Sequence, residues 1–82
     1  MAQMTWIPCE VSEPVEEKDY LVTWSGFLGG VRQKRFIYIL EWSNSEGWLT
    51  YEIEEMGYKD VVVFAWMPAP RPYQGKENDK VD

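Results

Sequence analysis

Val61-Val62-Val63-Phe64-Ala65-Trp66-Met67-Pro68-Ala69-Pro70-Arg71-Pro72 is the stretch whose reading decides the fold. Val61 to Trp66 is β-branched and aromatic, which reads as a buried strand. From position 68 to 72 every second residue is proline. Proline has no N–H to give a sheet and fixes its own φ, so the sheet ends at Pro68. The chain beyond it is stiff and extended, close to polyproline II. A shorter echo, Trp6-Ile7-Pro8, stands near the start. In this frame Trp66 and Met67 are core, and Pro70 and Pro72 hold the chain across the domain near Trp6. Pro68-x-Pro70-x-Pro72 with Arg71 also has the ingredients of a ligand for an SH3-type groove, but its prolines are spaced one residue too closely for that motif.

The 82 residues make one domain, expected over 1–72 with a polar, disordered tail over 73–82. A chain of this size buries only about 60–65% of its unfolded surface. Five Trp, five Tyr and three Phe compensate, because each large ring buries on the order of 150–250 Å². A lone cysteine, Cys9, excludes a disulfide framework and points to a reducing compartment. No basic stretch followed by an apolar run opens the chain, and no apolar run reaches the length of a membrane span. The expectation is a soluble, intracellular protein. Fourteen acids against eight bases give a formal charge of −6, which disfavours general attraction to phosphate backbones. Two uses of the charge stay open: solubility, or mimicry of a polyanion on a basic partner.

Outward from the closing strand, Thr5-Trp6-Ile7 reads as a short edge strand stopped by Pro8. Residues 8–18 read as an ordered loop between prolines, with Glu16-Glu17-Lys18-Asp19 turning into the strand Tyr20-Leu21-Val22-Thr23-Trp24-Ser25. Alternation puts Tyr20, Val22 and Trp24 on one face. Gly26-Phe27-Leu28-Gly29-Gly30 reads as a hairpin loop with two apolar side chains at its tip. They either fold back or meet a partner. A long strand from Val31 to Trp42 comes next, basic at Arg32, Lys34 and Arg35, and bent or bulged in its middle. Phe36-Ile37-Tyr38-Ile39-Leu40 is apolar on both faces, the mark of a central strand covered twice. Ser43-Asn44-Ser45-Glu46-Gly47 is the clearest turn, and Trp48-Leu49-Thr50-Tyr51 reads as the returning strand. Glu52-Ile53-Glu54-Glu55-Met56-Gly57 is either one helical turn ended by glycine or an acidic loop, since so short a helix needs tertiary help. The fold class is therefore mainly β, or α+β with one short helical turn: a small antiparallel meander of about four to five strands. The aromatic face of such a sheet has the N-terminal loop and the proline-rich segment as candidate lids.

Chemistry is sparse. There is no histidine, which removes the usual general base and the commonest metal ligand. Cys9 lacks the cationic neighbour that would activate it. The pairs Glu16/Glu17 and Glu54/Glu55 have the residue types of glycoside hydrolysis, but in acidic stretches of a domain too small for a deep cleft they read as solvated charge. No calcium loop or phosphate-cradling motif is present. Catalysis, cofactors and metals are not expected. Arg32, Lys34 and Arg35 beside Phe36 and Tyr38 hold the ingredients of a single-stranded nucleic-acid platform. The plainer reading is a solvated strand end whose cations pair with Glu41, Glu52 or Glu54.

Trp6-Ile7-Pro8, Pro14 eight positions after Trp6, the strand Tyr20-Leu21-Val22 and the closing Trp66-Met67-Pro68-Ala69-Pro70-Arg71-Pro72 resemble the phage-associated domain-of-unknown-function family 551. Ala65 stands where that family commonly has histidine, and Glu13 where it commonly has leucine. The resemblance implies a small phage or prophage protein acting in the bacterial cytoplasm, and implies no catalytic residue. The expected function is then a non-catalytic accessory protein that binds a host or phage protein, in one version inhibiting a host defence nuclease such as a CRISPR effector. The acidic candidates for that contact are Glu10, Glu13, Glu16, Glu17, Asp19, Glu52, Glu54 and Glu55. The apolar and basic candidates are Phe27, Leu28, Arg32, Lys34 and Arg35. The alternative is a single-stranded nucleic-acid-binding or structural module built on Arg32, Lys34, Arg35 and exposed rings. Homo-oligomerisation is a further expectation, because a large aromatic sheet face tends to mark an interface.

Overall fold

The computed structural model describes residues 5–70. Residues 1–4, Arg71, Pro72 and the expected tail from Tyr73 to Asp82 lie outside the described residues. Six antiparallel strands and one short helix succeed one another in the order β1 (Ile7–Pro8), β2 (Asp19–Leu28), β3 (Val31–Arg32), β4 (Phe36–Ser43), β5 (Gly47–Trp48), α1 (Tyr51–Glu55) and β6 (Lys59–Pro68). Across the sheet the order is β1-β6-β2-β4-β5, with β3 paired to β2 beside β4. The meander thus runs from β2 through β5, and β6 returns on the far side of β2. The closing stretch behaves as its residues dictate. Trp66 pairs with Val22, and the ladder ends where Pro68 meets Tyr20.

β2 is longer than the sequence reading allowed. It runs through Gly26, Phe27 and Leu28, and the hairpin loop shrinks to Gly29-Gly30. Both glycines have positive φ, 64° and 81°, as a two-residue turn matched to strand twist requires. Gly26 is not a turn residue: a Cβ there would lie 3.2 Å from the Lys59 carbonyl oxygen. It is glycine because β6 comes close.

The strand expected from Val31 to Trp42 is broken into β3 and β4, and its register against β2 slips by one residue between Arg32 and Phe36. The returning strand is shorter than expected. Only Gly47 and Trp48 pair with β4, and Tyr51 already opens α1. The ambiguous acidic segment is that helix, ended at Gly57 with φ 104°. Its Ile53 is wholly buried, so a helix too short to stand alone is held by its packing.

One face of the sheet carries the core. Tyr20, Val22, Trp24, Leu40, Trp42, Ile53 and Trp66 are buried there. The rings form two groups. Tyr20 stacks edge-on with Trp66 at 5.1 Å and Trp48 at 6.0 Å, and Trp48 meets Trp42 at 5.0 Å. Trp24 meets Tyr58 at 4.9 Å and Phe36 at 5.4 Å. Each such pair adds about 0.5–1.5 kcal/mol beyond simple burial. The lid includes α1, which the sequence did not single out, as well as the N-terminal loop.

Candidate functional site

Two features outside the core could meet a partner: the N-terminal acidic loop and the outer edge of β4. The loop is ordered through its backbone. The Trp66 indole Nε1 donates to the Ser12 carbonyl at 2.9 Å, the Tyr20 hydroxyl to the Glu16 carbonyl at 3.0 Å, and Asn44 Nδ2 to the Val15 carbonyl at 3.2 Å. Trp66 and Tyr20 from the core and Asn44 from the turn after β4 thus hold the loop by its carbonyls and leave its carboxylates outside. Glu10, Glu13, Glu16, Glu17 and Asp19 are all exposed. Glu17 accepts the Asn44 backbone N–H at 2.7 Å, and Glu16 pairs with Lys18 at 3.2 Å. That is the one ion pair among the described residues.

The second acidic group sits on α1. Glu54 accepts the Thr50 hydroxyl at 2.9 Å, Glu52 accepts the Tyr38 hydroxyl at 3.4 Å, and Glu55 is exposed. The structure brings part of the two groups together. A groove of about 590 Å³ runs along β4 and contains Asp19, Glu41 and Glu52 among Leu21, Ile37, Tyr38, Ile39, Leu40, Leu49 and Tyr51. No cation lines it. Asp19 and Glu41 stand directly opposite each other on β2 and β4, and like charges so placed are destabilising. Glu41, read from the sequence as a salt-bridge partner, belongs to this acidic site instead.

The groove exists because β4 is an edge, which corrects the reading of Phe36 to Leu40 as a central strand covered on both faces. β2 is the central strand, and on the other side of β4 only Trp42 and Ser43 are paired. Ile37 is 63% exposed and Ile39 50%. The hydrogen bonds fix which backbone groups are free. The Trp42 N–H donates inward to the Lys18 carbonyl, whereas the Glu41 carbonyl points outward and accepts the Leu49 N–H, both at 3.0 Å. Direction alternates along a strand, so Ile37 and Ile39 also aim their N–H and C=O groups outward, beyond the reach of β5.

The basic candidates are placed differently from the expectation that they pair with acids. The Arg32 guanidinium lies over the Phe27 ring at 4.4 Å and reaches the Ser25 hydroxyl at 3.4 Å. Arg35 lies over Phe64 at 4.0 Å. Lys34 is exposed. Phe27 is half-buried in β2 beneath Arg32 and folds back onto the domain, whereas Leu28 lies near Gly57 and stays exposed. Phe36 and Tyr38 are half-buried on the core face, not displayed beside the cations.

Cys9 is half-buried against the core. Burial pushes its thiol above the ordinary range, the Trp48 indole beside it offsets part of the rise, and the charge of Glu13 adds to it. The indole contact is weak, since the Trp48 N–H lacks a partner of hydrogen-bonding geometry. Such a thiol is a poor nucleophile. Among the described residues no three acidic or thiol side chains converge as a metal site, and no helix is long and apolar enough to cross a membrane.

Compared with protein-family models, curated proteins and solved structures, the chain matches none.

Proposed function

We propose that this chain is a non-catalytic accessory protein that binds a basic surface on another protein through its ordered acidic loop. The carrying observation is the way the loop is held: Ser12, Val15 and Glu16 are fixed through their carbonyls while the carboxylates of Glu10, Glu13 and Asp19 face solvent and make no ion pair among the described residues. A carboxylate array held in place before binding loses less entropy on contact than a floppy one. Opposed charge also accelerates encounter with a basic partner. The acids of α1 and Glu41 extend the same sign of field to the groove. A phage setting, suggested by the two tryptophan-proline ends, would make a host nucleic-acid-binding protein in the bacterial cytoplasm the target, a defence nuclease among them. The two stacked arginines favour this reading over a nucleic-acid platform, because Arg32 and Arg35 are engaged with Phe27 and Phe64.

The test is capture from a bacterial host lysate by the immobilised chain, with the captured protein identified. Reversal of Glu10, Glu13, Glu16 and Glu17 to lysine should abolish capture of a basic protein, and added salt should weaken capture by the wild type. Capture that survives reversal of both this loop and Glu52, Glu54 and Glu55 sinks the proposal. Direct binding of oligonucleotides that is lost in the triple Arg32→Ser, Lys34→Ser, Arg35→Ser variant would favour the alternative module.

A further inference from the structure

The sheet has two lateral edges, and only one is protected. On the β6 side the ladder with β2 is interrupted twice, around Phe64 and around Asp60 and Val61. Asp60 has φ 50°, and β1 ends in Pro8. Bulges, prolines and charges are the usual devices that stop a sheet edge from pairing with another chain. On the β4 side none of them is present between Phe36 and Leu40. Six consecutive pairs with β2 run without a shift from Trp24–Phe36 to Asp19–Glu41, so the strand is regular. Its free N–H and C=O groups belong to two exposed isoleucines.

From this geometry we infer that the β4 edge pairs with the same edge of a second copy, antiparallel about a two-fold axis beside Ile37, so that the two sheets become one. The occupant is set by the charges and the space. Lys34-Arg35 enter the strand and Glu41 leaves it, so antiparallel pairing sets the basic start of each copy against the acidic end of the other. Each groove lacks a cation and holds the opposed Asp19 and Glu41 together with Glu52. The second copy's exposed Lys34 supplies what is missing, while its Arg35 stays over Phe64. Leu49 already occupies the position opposite Glu41, so an incoming strand has room only alongside Phe36 to Leu40. An axis beside Ile37 respects that limit. It pairs the outward groups of Ile37 with those of its copy, Ile39 with the backbone of Arg35 of the second copy, and sets the isoleucine side chains of the two copies side by side on the shared outer face. An isologous contact of this kind closes on itself and does not propagate. The inference does not rest on the acidic-loop reading, since of the loop's acids only Asp19 takes part.

Sedimentation equilibrium of the full chain over a range of concentrations, with hydrogen exchange on the same samples, tests it. The expected result is a two-fold rise in mass with concentration, accompanied by slowed exchange of the Ile37 and Ile39 amides. Ile37→Lys places like charges together on the axis and should return the chain to single mass, while Val62→Lys on the other edge should leave the dimer intact. A single-chain mass at every concentration overturns the inference, as does a dimer that survives Ile37→Lys. A monomer whose Ile37 and Ile39 amides become protected only on adding an apolar peptide with a basic start would give the edge to a foreign strand and likewise overturn self-pairing. Circular dichroism of both variants separates loss of pairing from loss of fold.

Discussion

The two edges of this sheet are built from equally β-prone residues and differ in what interrupts them. Val61 to Trp66 on β6 is as apolar as Phe36 to Leu40 on β4. Yet β6 is kinked by two bulges and partly covered by β1, with the Phe64 carbonyl accepting the Cys9 N–H at 2.9 Å. β4 is straight and, over Ile37 and Ile39, uncovered. The difference teaches that strand propensity does not decide exposure. Position in the sheet and regularity of register do, and both are settled by pairing between residues far apart in the chain.

The largest expected effect lies on the protected side. Trp66 sits in the core, stacks on Tyr20 and holds the loop through Ser12. Trp66→Ala should therefore cost about 3–5 kcal/mol, read as a fall in the urea midpoint of unfolding. Ile37→Ala on the open edge should stay within about 0.5 kcal/mol at concentrations too low for association. Equal losses at the two sites would erase the distinction between the edges.

A proline pair tests the direction of the β4 groups. Tyr38→Pro removes an inward ladder bond and should cost at least about 1–3 kcal/mol from the unpaired carbonyl it leaves. Ile39→Pro removes an N–H that has no partner within the chain and should be clearly milder. The reverse order in denaturant titrations would mean that the free groups belong to Tyr38 and Leu40.

Much of this was legible in the residues, and the parts that were not share a cause. Alternation of Tyr20, Val22 and Trp24, the stop at Pro68 and the turn at Asn44 are local matters of period and backbone chemistry. Gly26 misled because a glycine that admits a neighbouring strand looks the same in sequence as one that makes a turn. Ile53 could not announce a helix whose stability comes from burial under a sheet. The candidate site was legible only as charge. The acids of the loop were visible, but their fixation by Trp66, Tyr20 and Asn44 was not. Nor was the groove that Asp19, Glu41 and Glu52 line, since it depends on β4 being an edge.

Two smaller effects sharpen the protected side. Asp60 holds a left-handed conformation that aspartate tolerates and β-branched residues do not. Asp60→Val should cost about 1–2 kcal/mol, measured by thermal or chemical unfolding. The smallest effect is on pH. Because the Cys9 thiol is raised in the folded chain, the native state keeps its proton where the unfolded chain has lost it. Its contribution to stability is complete below the unfolded thiol's pKa and is lost as pH rises through the folded value. The alkylation rate of Cys9 should accordingly rise at higher pH in the native chain than in urea, and coincident midpoints would contradict the shift.

The Gly29-Gly30 turn has a consequence in time. It closes the β2–β4 pairing from neighbouring segments, an event on the order of 1–10 μs for a hairpin. β6 must instead find β2 after the whole meander and α1 have been traversed, and distant pairings of this kind form more slowly. Until β6 arrives, β2 presents a second unprotected edge, so the young hairpin is open on both sides. The bulges that guard the finished sheet are carried by the strand that comes last.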